Sequence, residues 1–224
     1  YINKKNFAGK NTMNGYKITF IRNGMTEANE KGIYIGKSDW PLSDKGRADL
    51  EEKARVYAYP KVNRVYSSPL TRALQTAEII FPDREIVICD EMTEMDFGVF
   101  EGIELKDLLE LDSYHKWIKG GLDNPPPNGE SLRNMINRSL SGLNLIIMDM
   151  MKENIHEAGV VTHSGILMNL MSCFGLPKMK PMDFACEPGE GYMVNVSAML
   201  WQNGGVFEII GKVPFGNAAD YNEF

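Results

Sequence analysis

The chain is poor in the residues that build covalently stapled or metal-held folds. It has three cysteines, Cys89, Cys173 and Cys186, with no CxxC spacing, and an odd number cannot all pair. That pattern argues for reduced thiols in a cytoplasmic setting and against zinc ligation. Positive charge is also short: 24 Lys and Arg against 30 Asp and Glu give a net charge of −6. A nucleic-acid binder normally carries a basic surplus, so no nucleic-acid partner is expected, although a small basic pocket is still allowed. Long apolar runs are missing as well. The longest, residues 165–176, is broken by Asn169 and Ser172 and is too short to span a bilayer. No membrane partner, signal peptide, internal repeat or low-complexity tract is read from the sequence. What remains is ordinary for a globular protein: 224 residues, 43% hydrophobic and 24% charged, enough for one α/β domain.

Residues 1–12 are polar and precede Met13. They read as a leader or an expression-derived tail, and residues 13–224 read as a single domain. From Lys17 an apolar run (Ile18, Phe20, Ile21) reads as a strand that empties into Arg22-Asn23-Gly24. Ser43 is an expected N-cap, with Leu50, Ala54 and Tyr57 at helical spacing behind it. Arg64–Ser67 is a short strand, followed by a helix capped by Ser68 with Pro69 at its first position. Residues 85–89 form a strand, residues 91–102 have no regular period, and residues 120–129 are loop. Ser131 opens a long helix whose apolar positions, from Leu132 to Met150, keep three-and-four spacing. A strand over residues 159–162 ends at His163, and the following helix runs to Gly175, read as its C′ residue. Strands near residues 193–201 and 206–212 flank Asn203-Gly204-Gly205, a hairpin signal. The fourteen methionines read as core filler, and His115 and His156 as surface residues. Strands alternating with helices imply a three-layer α/β/α fold with a mainly parallel sheet.

Apolar strands that empty into turns deliver their next residues to the carboxyl edge of a sheet, where open α/β folds place ligands. Arg22, Arg72 and His163 each follow such a strand. Arg22, Gly24, Thr26 and Asn29 stand where the histidine phosphatase superfamily (phosphoglycerate-mutase-like) has its Arg-His-Gly motif, a Thr and, three residues later, an Asn. Position 23 departs from that pattern, with Asn where the family has His. The helix beginning SSPLTRALQTA resembles the segment that carries the family's second phosphate-binding arginine, here Arg72. Residues 91–102 resemble the phosphatase branch, with Glu94 at the position of the general acid. Glu130-Ser131 is similar to the family's Gly-Glu-Ser, and His163 resembles its second active-site histidine. The Phe97-Gly98-Val99-Phe100-Glu101-Gly102 run is most similar to α-ribazole phosphatases, and broad-specificity and phosphosugar phosphatases share it.

The resemblance implies a phosphomonoester hydrolase that works through a phosphohistidine on a small phosphorylated metabolite such as α-ribazole 5′-phosphate. It implies phosphate binding by Arg22, Asn29, Arg72 and His163, and proton donation by Glu94. It implies no cofactor and no metal, since cationic side chains supply the positive charge. Asn23 cannot be the nucleophile, because its amide nitrogen lone pair is delocalised into the carbonyl, so this chain is expected to be inactive or nearly so. An engineered substitution is the favoured origin. A natural pseudoenzyme that binds a phosphorylated ligand is the alternative, and phosphoglycerate mutase is the rival within the fold. Against the mutase, Met95, Asp96 and Phe97 fill the interval where mutases carry Arg and Tyr. The leaving group is expected to be selected by the loops at residues 33–40 and 120–129. A homodimer stays open.

Overall fold

The computed structural model describes residues 15–216. The expected leader at residues 1–12, the expected start at Met13 and residues 217–224 lie outside them. The chain runs β1 (Tyr16–Arg22), α1 (Glu27–Glu30), α2 (Asp44–Val56), β2 (Arg64–Ser67), α3 (Thr71–Ile80) and β3 (Ile86–Ile88). It continues with α4 (Leu105–Leu108), α5 (Asp112–Lys119), α6 (Leu132–Lys152), β4 (Glu157–Thr162), α7 (Ser164–Phe174) and β5 (Gly175–Leu176). The last elements are β6 (Gly191–Val196), α8 (Ala198–Gly204) and β7 (Phe207–Val213). The strands form one sheet in the order β3-β2-β4-β1-β6-β7-β5. Only β6 runs against its neighbours β1 and β7; the remaining pairings are parallel.

Alternation along β1 explains the layers. Ile18 and Phe20 point to one face and join Leu143, Ile146, Leu167 and Leu170 of α6 and α7 in one core. Ile21 points to the other face and joins Leu50, Ala73 and Ala77 of α2 and α3. A sheet with both faces covered needs near-continuous apolar strands, which is how β1 and β4 read. The α/β expectation therefore holds. A third cluster, Phe100, Leu108 and Tyr114 with Phe97 and Trp117 against it, sits under α4 and α5. Among the described residues no helix is long and apolar enough to cross a membrane.

Several local readings need correcting. Helix α3 begins at Thr71 with Leu70 at its cap, not at Pro69, and Ser68 is not its side-chain cap. The Asp39 carboxylate instead accepts from the Thr71 N–H and hydroxyl, at 2.8 and 2.7 Å. Tyr57 lies past the end of α2 and is exposed. Gly175 is extended, not left-handed, because it opens β5 and pairs with β7. The strand expected over residues 193–201 ends at Val196, where Ser197 caps α8 by accepting from Leu200 N–H; left-handed Gly205 closes that helix. A helix therefore joins β6 and β7 in place of the expected hairpin turn. The methionines divide: Met92, Met135, Met150, Met171 and others are buried, whereas Met148, Met151, Met179, Met182 and Met199 are exposed.

Phe20 is fully buried in the central strand and stacks on Phe207, with ring centroids 6.5 Å apart. Phe20→Ala should cost about 3–5 kcal/mol of stability, read from the shift in the urea unfolding midpoint.

Candidate active site

The central order β2-β4-β1 sets three parallel strand ends side by side. Arg22 is in register with Thr162, and Ser67 with Val161. The ladders continue one residue further: Asn23 N–H donates to Thr162 O at 2.8 Å, and Ser68 N–H to Val161 O at 3.0 Å. Residues 68, 163 and 23 are therefore neighbours at the carboxyl edge. His163 bonds to both others, with Nδ1 2.9 Å from Asn23 Oδ1 and Nε2 2.7 Å from Ser68 Oγ. Because the Asn23 amide nitrogen donates to Gly24 O at 2.7 Å, its oxygen is the atom that faces the ring. His163 then carries its proton on Nδ1 and accepts the Ser68 hydroxyl at Nε2, an assignment that follows from the hydrogen-bond network.

A cavity of about 90 Å3 opens beside this trio. Its lining holds all six residues singled out from the sequence, Arg22, Asn23, Asn29, Arg72, Glu94 and His163, together with Ile35 and Ser164. Arg22 ends β1 and is braced by a guanidinium bond to Cys186 O. Asn29 closes the capping box of α1: its side-chain oxygen accepts from Thr26 N–H and hydroxyl, at 3.0 Å each. Its NH2 group has no partner among the described residues.

Arg72 is only 2% exposed. Its guanidinium donates to Ser38 O at 2.8 Å and to Gly36 O. Its carbonyl accepts the Thr76 hydroxyl at 2.6 Å, and Thr76 Oγ1 accepts Gly24 N–H at 2.9 Å, which ties α3 to the turn after β1. The loop that supplies Gly36 and Ser38 is held by Glu101, whose carboxylate accepts from the N–H groups of Lys37, Ser38 and Phe97 at 2.9, 2.7 and 3.0 Å.

Glu94 is buried, and its two oxygens accept Met95 N–H and Gly165 N–H at 2.9 Å each. The carboxyl fills the space a Cβ on residue 165 would take: Oε1 would lie 2.6 Å from it. Arg138, paired with Glu130 at 2.8 Å, fixes the backbone here through bonds to the carbonyls of Glu91, Thr93 and Glu94.

Burial governs the charges. It pushes the Glu94 carboxyl above its ordinary range, although the Met95 and Gly165 N–H groups and the Arg72 charge oppose the shift. Burial first, then the Arg72 and Arg138 charges, hold His163 well below its ordinary value. Arg72 is lowered by burial, opposed by Glu94, Asp39 and Glu101, and a guanidinium stays charged through such a shift. His163 is thus not a third cation near neutral pH, and its one N–H is taken by Asn23 Oδ1. The cavity combines two guanidinium groups, the Asn29 NH2 and a carboxyl that burial pushes above its ordinary range. Such a set stabilises an anion while keeping an acid in reach.

The sequence profile of the histidine phosphatase superfamily (branch 1) matches residues 18–204. The chain belongs to this superfamily. Adenosylcobalamin/alpha-ribazole phosphatase of Salmonella typhimurium is 28% identical over 181 residues, 77% of this chain and 87% of that protein. Phosphoserine phosphatase 1 of Hydrogenobacter thermophilus is 26% identical over 177 residues, 76% of this chain and 82% of that protein. In fold, the chain resembles the alpha-ribazole phosphatase from Shigella flexneri, with a TM-score of 0.70 at 22% identity over 86% of this chain and 94% of that one. Against this histidine phosphatase frame, sequence reading missed Ser68, Glu101 and Ser164 as site or supporting residues. Ser68 carried a usable signal, since it follows a strand as Asn23 and His163 do.

Neutral His163 gives the fold a pH dependence. Unfolded, its ring takes up a proton near pH 6.5; folded, burial and the Arg72 and Arg138 charges hold that uptake to well below this pH. The unfolded chain therefore binds more protons below that pH, so stability falls as pH drops through it. Between about pH 7 and about pH 5 this group should therefore lower stability. Urea unfolding at the two pH values should show that loss reduced in His163→Gln. An equal loss in both proteins would mean that folded His163 is charged.

Proposed function

We propose that the cavity is a phosphomonoester site whose parent chemistry is hydrolysis through a phosphohistidine at position 23. The observation that carries this reading is the joint placement of Arg22, Arg72, His163 and buried Glu94 around the Asn23 amide in one small polar cavity. At about 90 Å3 it is far below the ~300 Å3 at which pockets hold drug-sized ligands, so it suits one compact anionic group. Arg22 and Arg72 hold the phosphoryl oxygens and Asn29 NH2 adds a neutral donor, while His163, whose single N–H goes to Asn23 Oδ1, orients residue 23 and is not itself a phosphate donor in this form. With His at position 23, an imidazole nitrogen attacks phosphorus in line, an N–P bond forms and the ester P–O bond breaks. Glu94, whose carboxyl burial pushes above its ordinary range, is the group placed to pass a proton to the departing oxygen. Water then cleaves the N–P bond and gives its proton back to Glu94.

With Asn at position 23 the first step has no nucleophile. The amide nitrogen is conjugated with its carbonyl and already donates to Gly24 O. This form therefore binds a phosphomonoester without turning it over, and we read Asn23 as a substitution that disables the parent reaction. Asn23→His should raise kcat by about 10³ to 10⁶ and yield an acid-labile, base-stable phosphoprotein. An absence of turnover by that variant on a panel that includes aryl phosphates would leave a binding protein in place of a disabled hydrolase. Calorimetry with inorganic phosphate should detect binding to the Asn23 chain, and Arg72→Ala should weaken it by about 1.5–3 kcal/mol.

A further inference from the structure

A leaving oxygen within reach of Glu94 places the rest of the ester in space that adjoins that carboxyl. Two larger cavities adjoin it. The first, about 660 Å3, is lined by Lys37 and Arg138 against Asp90, Glu94, Asp96 and Glu130, two cations facing four carboxyl groups. Its cations are engaged, Arg138 with Glu130 at 2.8 Å and Lys37 with Asp96 at 3.7 Å. The second, about 420 Å3, has no charged residue besides Glu94, and its walls include Met95, Phe97, Trp117, Leu122, Leu132 and Met135. Gly165 lines this cavity too, and the Glu94 carboxyl lies directly over it. The acid therefore stands between the phosphate cavity and an apolar one.

We propose that the apolar cavity receives an uncharged, ring-sized apolar leaving group, and that esters bearing a carboxylate are selected against. This rests on the phosphomonoester reading. A volume of about 420 Å3 suits a small organic group. Phe97 and Trp117, packed edge to face with centroids 5.7 Å apart at 74°, both line the cavity, and aromatic walls favour a ring-bearing partner. Asn169 donates one amide hydrogen to Gly165 O at 2.8 Å, and its oxygen accepts no bond among the described residues. One neutral polar group on the ligand therefore has a partner. A carboxylate has none: the apolar walls carry no cation and the polar cavity is net acidic, so burying it there is costly.

Calorimetry on the Asn23 chain with naphthyl phosphate, O-phosphoserine, inorganic phosphate and naphthol tests the assignment. Naphthyl phosphate should bind roughly tenfold or more tighter than O-phosphoserine. Leu122→Glu, at a position 45% exposed, should lower the affinity for naphthyl phosphate relative to inorganic phosphate by a similar factor. If its thermal melt is abnormal, Ile118→Glu, at 57% exposure in the same wall, serves in its place. Equal binding of the two esters with inorganic phosphate still bound overturns this inference and leaves the phosphate site standing. Failure of inorganic phosphate to bind sinks the phosphomonoester reading. Naphthol then decides the cavity: binding that the Glu variant abolishes supports it, and no binding overturns it.

Discussion

Two backbone hydrogen bonds hold the site together, Asn23 N–H to Thr162 O and Ser68 N–H to Val161 O. They carry the β1–β4 and β4–β2 ladders one residue past the strands, so three consecutive sheet positions end in Asn23, His163 and Ser68. A slip of one residue in either pairing would turn every side chain of that strand to the opposite face. Apolar matching sets the register: Phe20 lies opposite Val160, and Tyr66 opposite Val160 on its other side. The hydrophobic pattern of three short strands thus decides which nitrogen of His163 carries a proton.

The second requirement is to keep polar groups out of water without leaving them unpartnered. Arg72, Glu94 and His163 are all buried, and each has partners fixed by the backbone. Arg72 rests on two carbonyls, Glu94 on two N–H groups, and His163 on side chains that follow strand ends. Partners of that kind do not have to reorganise when an anion arrives, which is what gives fixed dipoles their advantage over solvent. Glu101 extends the same economy one layer outward, since it organises the loop whose carbonyls receive Arg72.

The α/β class, the strand that ends at Arg22 and the long helix α6 behind Ser131 could be read from periodicity and strand ends. The six cavity residues were legible through the family resemblance, since a position such as Glu94 lies in a segment with no regular period. What was not legible depends on contacts between segments far apart in the chain. Ser68 looked like a helix cap because its hydroxyl suits that task, and only the approach of His163, 95 residues on, reassigns it. The run from residue 193 to 201 reads as a strand by its apolar content, yet the Ser197 cap divides it into β6 and α8. The charge state of His163 was equally hidden, since it depends on how deeply Arg72 and the ring are buried together.

The turn after β1 also bears on how the protein ages. Asn followed by Gly is the dipeptide most prone to spontaneous deamidation, in which the glycine nitrogen attacks the side-chain amide carbon and ammonia leaves. Here the Gly24 nitrogen is buried and its N–H is engaged by Thr76 Oγ1, while the Asn23 amide is held from both sides. Ring closure at this peptide needs both restraints released, which means opening α3 away from the end of β1. The chemical lifetime of residue 23 is therefore set by how often the fold opens there, and storage conditions that favour local opening would convert it to aspartate and isoaspartate.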